Sequence, residues 1–109
     1  MIYEKARVNP QWLIAAECDA WESDIRTGRD TTYVPEQALA RLLEPGTTEA
    51  NAARLRSVIR TTAQCTNCRE KGAERVARIK ADGWRSETWG CSKCVESAPA
   101  GVVEVLTWV

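Results

Sequence analysis

The sequence contains no histidine and no phenylalanine. Without histidine, the chain lacks the most common general base and the usual nitrogen ligand of zinc. No nucleophile elbow, P-loop or cluster of carboxylates takes the place of histidine. We therefore expect a protein that is not an enzyme, with thiol redox chemistry as the one reaction type left open.

Long apolar segments are also missing. No apolar run approaches the roughly 20 residues that cross a bilayer, and the first ten residues, MIYEKARVNP, lack the apolar core of a signal peptide. Apolar residues make up 44% of the chain and charged residues 28%, which is ordinary for a globular protein. We expect a soluble, cytoplasmic protein with neither a membrane partner nor a small-molecule substrate.

The cysteines are five in number, whereas a secreted disulfide framework usually has an even count. Without an export signal, reduced thiols are the expected state. Four of the five form two C-x2-C pairs, Cys65 with Cys68 and Cys91 with Cys94, and 22 residues separate the pairs. This pattern is typical of metal ligands. Cys18 is left over and lies on an apolar helix face, where we expect a small buried side chain.

Paired C-x2-C motifs suit a tetrahedral metal ion, because a tight turn aims both thiolates at one point about 2.3 Å away. Two such turns complete the coordination and leave no open position, so the pattern predicts one structural Zn²⁺. Three alternatives stay open: four cysteines without a metal, a redox dithiol, and iron held by the same four thiolates.

The residues CTNC (65–68), GW (83–84) and CSKC (91–94) resemble the zinc-ribbon family of four-cysteine zinc fingers. The resemblance covers residues 63–95 and is closest to small bacterial and phage variants in which a helix and a Gly-Trp strand separate the two cysteine turns. It implies metal binding. It leaves the partner open, since zinc ribbons contact DNA, RNA and proteins. A phage-type protein of this kind would be an effector or inhibitor of host machinery.

The first 62 residues are predicted to be mainly helical. Residues 2–8 alternate apolar and polar side chains and predict a short strand. Asn9 and Pro10 are typical of a helix start, with Asn9 as the cap, and Gly28 is typical of a helix end. The side chains expected on the buried faces of three helices are Ile14, Cys18, Trp21 and Ile25; Ala38, Leu39, Leu42 and Leu43; and Ala52, Leu55, Ile59 and Thr62.

The remaining residues, 63–109, are predicted to form the zinc-ribbon segment. We expect a helix over residues 72–82, a strand over Trp84–Trp89, a turn at Pro99 and Gly101, and a strand over Val102–Val109. The fold class is α+β: a short strand and three helices packed on a four-cysteine zinc ribbon with an inserted helix and a small antiparallel sheet. We expect the two segments to form one compact unit.

Charge is distributed unevenly although 15 basic and 15 acidic residues cancel. Residues 1–53 carry a net charge of −4, residues 54–80 carry +6, and residues 81–109 carry −2. A solvated helix face explains such a basic segment as well as an anionic partner does. The candidate partner-binding residues are Arg54, Arg56, Arg60, Arg69, Lys71, Arg75, Arg78, Lys80 and Trp89.

Tryptophan occurs five times and takes over the role of the absent phenylalanine. We expect Trp21 and Trp84 in the core and Trp89 at an interface, because residues 84 and 89 would lie on opposite faces of a strand. Two functions follow. The first is binding of a partner protein by a non-enzymatic zinc protein, and the alternative is a nucleic-acid-binding, transcription-associated module that uses residues 54–80.

Overall fold

The computed structural model describes residues 9–109. They form four helices and one three-stranded antiparallel sheet, which confirms the predicted α+β class. The strand predicted over residues 2–8 lies outside the described residues. The chain divides into two compact units, Met1–Ile59 and Arg60–Val109. None of the helices in residues 9–109 combines the length and the apolar character that a membrane span requires.

The first helix, α1 (Gln11–Thr27), ends as predicted at Gly28, which adopts the left-handed conformation at φ 74°. The start differs from the prediction in one detail. The Asn9 side chain does not cap the helix but donates a hydrogen bond to Glu44 at 2.9 Å, and the Pro10 carbonyl accepts the first helical hydrogen bonds.

The other two predicted helices are α2 (Val34–Leu42) and α3 (Glu49–Thr62). Their apolar faces are largely as expected, with Leu39 and Leu55 buried. Leu43 is the exception, because α2 ends at Leu42 and the side chain of Leu43 is 65% exposed. The buried side chains of the first unit include Ile14, Cys18, Trp21, Val34, Ala38, Leu39, Leu55, Val58 and Ile59.

The second unit differs most from expectation between residues 72 and 82, where the predicted helix is wrong. This segment contains a strand, β1 (Val76–Ala81). The residues alternate in a strand-like way: Ala77, Ile79 and Ala81 share one face, while Arg78 and Lys80 share the other. The β-branched Val76 and Ile79 also favour a strand over a helix.

Two further strands complete the sheet. The predicted strand over Trp84–Trp89 is shorter and shifted, since β2 covers Thr88–Cys91, and residues 84–87 form part of the connecting turn region. A six-residue helix, α4 (Ser92–Ser97), was not predicted and follows β2 directly. The turn at Pro99 and Gly101 and the final strand, β3 (Val103–Trp108), are confirmed. The strand order is β2-β1-β3.

Candidate metal centre

The four cysteines of the two C-x2-C pairs lie together in the second unit. Their Sγ atoms are all within 4.8 Å of one another, and the sulfurs of Cys68 and Cys91 are 3.8 Å apart. A tetrahedral ion with metal–sulfur bonds of about 2.3 Å places its sulfurs roughly 3.8 Å apart. The four cysteines are therefore positioned to hold one metal ion, as the sequence predicted.

The first cysteine turn is closed by backbone hydrogen bonds. The N–H of Arg69 donates to the carbonyl of Cys65 at 2.8 Å, and the N–H of Cys65 donates to the carbonyl of Glu70 at 3.0 Å. Arg69 adopts φ 67° in this turn, a left-handed conformation that is unfavourable for a side chain other than glycine, asparagine or aspartate. The Gln64 side chain donates to the Arg69 carbonyl at 2.9 Å and supports the same turn.

The second cysteine turn joins β2 to α4. Cys91 is the last residue of β2, and Cys94 lies in the first turn of α4. Gly90 allows α4 to approach the sheet, since a Cβ atom there would lie 2.9 Å from Val95 Cγ2 and 3.0 Å from Ile79 Cδ1. The position of Cys94 relative to Cys91 therefore depends on the small size of Gly90.

The two cysteine turns are linked to each other through the sheet. The N–H of Thr66 donates to the Trp89 carbonyl at 2.9 Å, and the N–H of Ser92 donates to the Arg75 carbonyl at 3.0 Å. The hydroxyl groups of Thr66 and Thr88 also form a hydrogen bond. These contacts bring residues 65–68 alongside the end of β2.

Hydrogen bonds to the sulfurs differ from one cysteine to the next. Burial raises the pKa of Cys65, but the backbone N–H groups of Cys68, Cys91 and Asn67 donate to its sulfur and lower the pKa to about 6. Cys91 is affected in the opposite direction, since burial raises its pKa to about 12 although the N–H of Cys94 donates to its sulfur. The Asn67 side chain donates to the Cys94 sulfur at 3.4 Å.

The pKa of Cys68 is also raised. The N–H of Glu70 donates to its sulfur and lowers the pKa, but desolvation and the neighbouring sulfurs of Cys65 and Cys94 outweigh that effect. A metal ion would replace the protons on all four sulfurs, because only thiolates act as ligands. The hydrogen bonds thus favour the thiolate of Cys65, whereas the surroundings of Cys68 and Cys91 raise the pKa of both thiols.

The fifth cysteine, Cys18, is fully buried in α1, as predicted. Burial raises the pKa of its thiol, so it remains protonated at neutral pH. A buried, protonated thiol is a poor nucleophile.

No protein-family model matches this chain, and neither a curated protein nor a solved structure matches it. The metal-binding part of the predicted resemblance is supported by the cysteine geometry alone. Membership of the zinc-ribbon family stays a prediction. The helix that the resemblance implied between the two cysteine turns is replaced by the β1–β2 hairpin.

The basic residues of 54–80 belong to both units. Arg54 and the exposed Arg56 lie in the first unit. Arg54 is engaged within that unit, where it donates to Glu22 at 2.6 Å and to Asp19 at 2.5 Å. The other basic residues lie in the second unit: Arg60, Arg69, Lys71, Arg75, Arg78 and Lys80.

Two of these arginines lie over tryptophan rings. Arg75 is 4.2 Å from the centroid of Trp108, and Arg78 is 5.1 Å from that of Trp89. Arg75 lies directly before β1, and Arg78 lies within it.

The predictions for Trp84 and Trp89 are both wrong. Trp89 was expected at the surface, but it is only 5% exposed and lies opposite Arg78 in the sheet. Trp84 was expected in the core, but it is 48% exposed. The reason is the later start of β2, which leaves Trp84 in the connecting turn region. Trp21 is buried as predicted.

The sequence reasoning also missed an exposed apolar surface. Val102, Val105 and Leu106 are exposed, and the last two lie on β3. The alternation of strand residues does not show this surface, because it depends on which strand ends up at the edge of the sheet. The only signal in the sequence is that residues 102–109 are mostly apolar and contain one charged side chain, Glu104.

Proposed function

We propose that this protein is a non-enzymatic zinc-binding protein whose second unit is organised by one structural Zn²⁺ and which acts by binding a partner protein. The meeting of four cysteine sulfurs within 4.8 Å carries the zinc part of the proposal. Four protein ligands complete a tetrahedral coordination, and a catalytic zinc keeps one position open for water or substrate. The centre is therefore suited to a structural role.

Zinc is favoured over the alternatives by the chemistry of the ligand set. Four thiolates in tetrahedral geometry select zinc or iron among the common metals. An iron–sulfur cluster places several irons and bridging sulfides between its cysteines, whereas sulfurs only 3.8 Å apart fit around one ion. A redox-active dithiol needs only one C-x2-C pair, so it does not explain why the second pair lies within 4.8 Å of the first.

Metal analysis of the purified full-length chain tests the zinc proposal. We expect one zinc per chain, and after exchange with Co²⁺ the visible spectrum of a tetrahedral tetrathiolate. Cys94→Ser should weaken metal binding strongly, while the matched control Cys18→Ser should leave the stoichiometry unchanged. A metal-free protein that keeps its near-UV circular dichroism in the presence of a chelator would overturn the proposal.

The surface proposed for protein binding is the outer edge of β3. Within residues 9–109, β3 pairs with β1 along one side, and no strand lies along its other side. The N–H of Asp82 donates to the Val102 carbonyl. Because hydrogen-bonded and open pairs alternate in an antiparallel ladder, the backbone groups of Val103 and Val105 are directed away from β1.

This edge is suited to an extended segment of a partner protein. Addition of a strand to a sheet edge combines backbone hydrogen bonds with apolar side-chain contacts. Val102, Val105 and Leu106 are exposed beside the open backbone groups. Glu104 is the one charged residue of β3, so the edge has little of the charge that normally prevents such pairing.

The nucleic-acid alternative receives less support from the charges. Residues 60–109 carry eight basic and six acidic residues. A centre of four thiolates and one Zn²⁺ adds a charge of roughly −2, so the loaded unit has no excess positive charge. A salt titration with duplex and single-stranded DNA checks this point, since phosphate binding is strongest at low salt. Tight, salt-sensitive binding would favour the alternative.

Capture from bacterial lysate tests the protein-binding proposal, because the resemblance to phage-type proteins makes a host protein the expected partner. The wild type should retain a partner that Leu106→Lys loses. Trp12→Lys is the matched control, since Trp12 is an exposed apolar side chain in the first unit. Capture that is unaffected by Leu106→Lys, or that disappears after nuclease treatment, would contradict the proposal.

A further inference from the structure

The four sulfurs of the metal centre are unequally accessible. Cys65 and Cys91 are buried, Cys94 is half-buried, and Cys68 is exposed. An electrophile that approaches the folded protein therefore reaches the Cys68 sulfur first. This difference matters because a thiolate held by a metal keeps nucleophilic character.

The hydrogen bonds to the sulfurs reinforce the difference. Three backbone N–H groups donate to the Cys65 sulfur, whereas one, from Glu70, donates to Cys68. A sulfur that accepts a hydrogen bond from an N–H group carries less negative charge and is a weaker nucleophile. Cys65 is thus the most shielded of the four in both respects, and Cys68 combines exposure with a single backbone donor.

We propose that Cys68 is a modification site at which hydroperoxides and other soft electrophiles attack the centre, and that Cys91 then forms a disulfide with it. This inference rests on the proposed zinc site, since it concerns thiolates held in place by the metal. Cys91 is the expected second cysteine because its sulfur lies 3.8 Å from that of Cys68. The resulting disulfide would join the two cysteine turns.

The chemistry needs hydrogen peroxide as the oxidant. The Cys68 thiolate attacks one peroxide oxygen, the O–O bond breaks, hydroxide leaves, and Cys68 becomes a sulfenic acid. The Cys91 thiolate then attacks the Cys68 sulfur, an S–S bond forms, and a second hydroxide leaves. The two thiolates lose two electrons in total, and the peroxide gains them. The sulfurs must approach from 3.8 Å to about 2.05 Å.

A disulfide between Cys68 and Cys91 removes two of the four ligands, and the metal ion would then be released. The centre would then respond to oxidants by releasing its metal ion, while the new disulfide holds the two cysteine turns together. Cys18 does not take part, because its side chain is fully buried and its thiol is in α1. It serves as an internal control in the same molecule.

Limited alkylation tests the first step. The zinc-loaded full chain is treated with less than one equivalent of N-ethylmaleimide, and trypsin peptides are analysed by mass spectrometry. We expect label at Cys68 to exceed label at each other cysteine several-fold. Asn67→Ala removes the donor to the Cys94 sulfur, so it should raise label at Cys94 and leave Cys68 as the first site.

Peroxide treatment tests the second step. Zinc release is followed with a chromogenic chelator, and the oxidised chain is cleaved with trypsin without reduction. Cleavage at Arg60 and Arg69 places Cys65 and Cys68 in residues 61–69, and cleavage at Arg85 and Lys93 places Cys91 in residues 86–93 and Cys94 in residues 94–109. We expect a disulfide between the peptides 61–69 and 86–93, with fragmentation locating it at Cys68.

The outcomes separate this inference from the zinc proposal. Equal label on the four cysteines, or a disulfide within one C-x2-C pair, would overturn the assignment of Cys68 while one zinc per chain would still stand. A chain that contains no metal after purification would overturn both. Zinc release that proceeds together with formation of the Cys68–Cys91 disulfide supports the role of Cys91.

Discussion

The two units differ in what fills their interiors. Among the largest fully buried side chains, six belong to the first unit and two to the second. The six are Ile14, Leu55, Ile59, Val34, Val58 and Cys18. The two are Val76 and Cys65, and Cys65 is itself a candidate metal ligand.

This difference indicates two ways of stabilising a small unit. Three helices can bury a continuous apolar face, and that burial supplies most of their stability. A three-stranded sheet of 50 residues or fewer has little core, so such units usually depend on a metal or a disulfide. The first unit is therefore expected to be stable without metal, and the second is expected to require it.

Metal removal should give the largest effect, because structural zinc contributes roughly 10 kcal/mol or more to the folding of small zinc domains. Treatment with a strong chelator should abolish the native amide signals of residues 60–109 while those of α1 and α2 persist. Nuclear magnetic resonance of the isotope-labelled full chain measures both units at once.

Cys65→Ser should reproduce the effect of the chelator, and Cys18→Ser is the control for loss of a cysteine outside the centre. Simultaneous loss of signals from both units would show that the first unit also depends on the metal. Unchanged signals in both would remove the proposed structural role of the centre.

The sequence was sufficient to predict the first unit because its helices are set by local signals. The apolar spacing of Ile14, Cys18 and Trp21 indicates one buried face, and Gly28 stops α1 where only glycine fits easily. The C-x2-C spacing likewise predicted the four ligands, because ligand geometry constrains the chain locally.

The second unit was harder to predict because its strands are set by pairing. Residues 72–82 contain both helical and alternating patterns, and the alternation prevails once β1 pairs on both sides. The exposure of Trp84 and burial of Trp89 follow from where β2 begins. A single sequence does not fix that boundary.

Removal of apolar packing in the first unit should have the next largest effect. Leu55 is fully buried in α3, and Leu→Ala at such a site costs about 2–5 kcal/mol. Leu55→Ala should lower the midpoint of urea unfolding followed by helical circular dichroism, with zinc affinity unchanged. Leu43→Ala, at an exposed position, should change the midpoint little. A large loss of zinc affinity in Leu55→Ala would show that the units are energetically coupled.

Gly90→Ala should have a smaller effect, confined to the second unit. The added Cβ would lie 2.9 Å from Val95 and 3.0 Å from Ile79, and overpacking of this kind costs about 1–3 kcal/mol. Because Cys91 and Cys94 lie between Gly90 and Val95 in the sequence, zinc affinity should fall. Competition with a chromogenic chelator measures the zinc affinity.

Gly101→Ala is the comparison that separates crowding from backbone strain. Gly101 has φ 82° with no atom near its missing Cβ, so alanine there strains only the backbone, by roughly 1–2 kcal/mol. It lies away from the cysteines in sequence and should leave zinc affinity unchanged. Equal effects of the two substitutions on zinc affinity would contradict the packing role of Gly90.

The smallest effect is expected at Arg54, the basic residue that the first unit uses internally. Its guanidinium donates to Glu22 at 2.6 Å, and hydrogen bonds to Glu22 and then Asp19 raise the pKa of Arg54. The side chain of Asp19 is 71% exposed, so solvent weakens the pair, and such pairs contribute about 0–1 kcal/mol. Arg54→Gln should therefore lower stability slightly at low salt.

Salt dependence distinguishes an ion pair from a phosphate-binding role at Arg54. The stability difference between wild type and Arg54→Gln should shrink as salt screens the pair, whereas the exposed Arg56→Gln should differ little from wild type at any salt concentration. If Arg54→Gln left stability unchanged but weakened DNA binding, Arg54 would bind a nucleic-acid partner rather than the acidic side chains of α1. The acidic side chains of α1 would then not be what holds Arg54 in place.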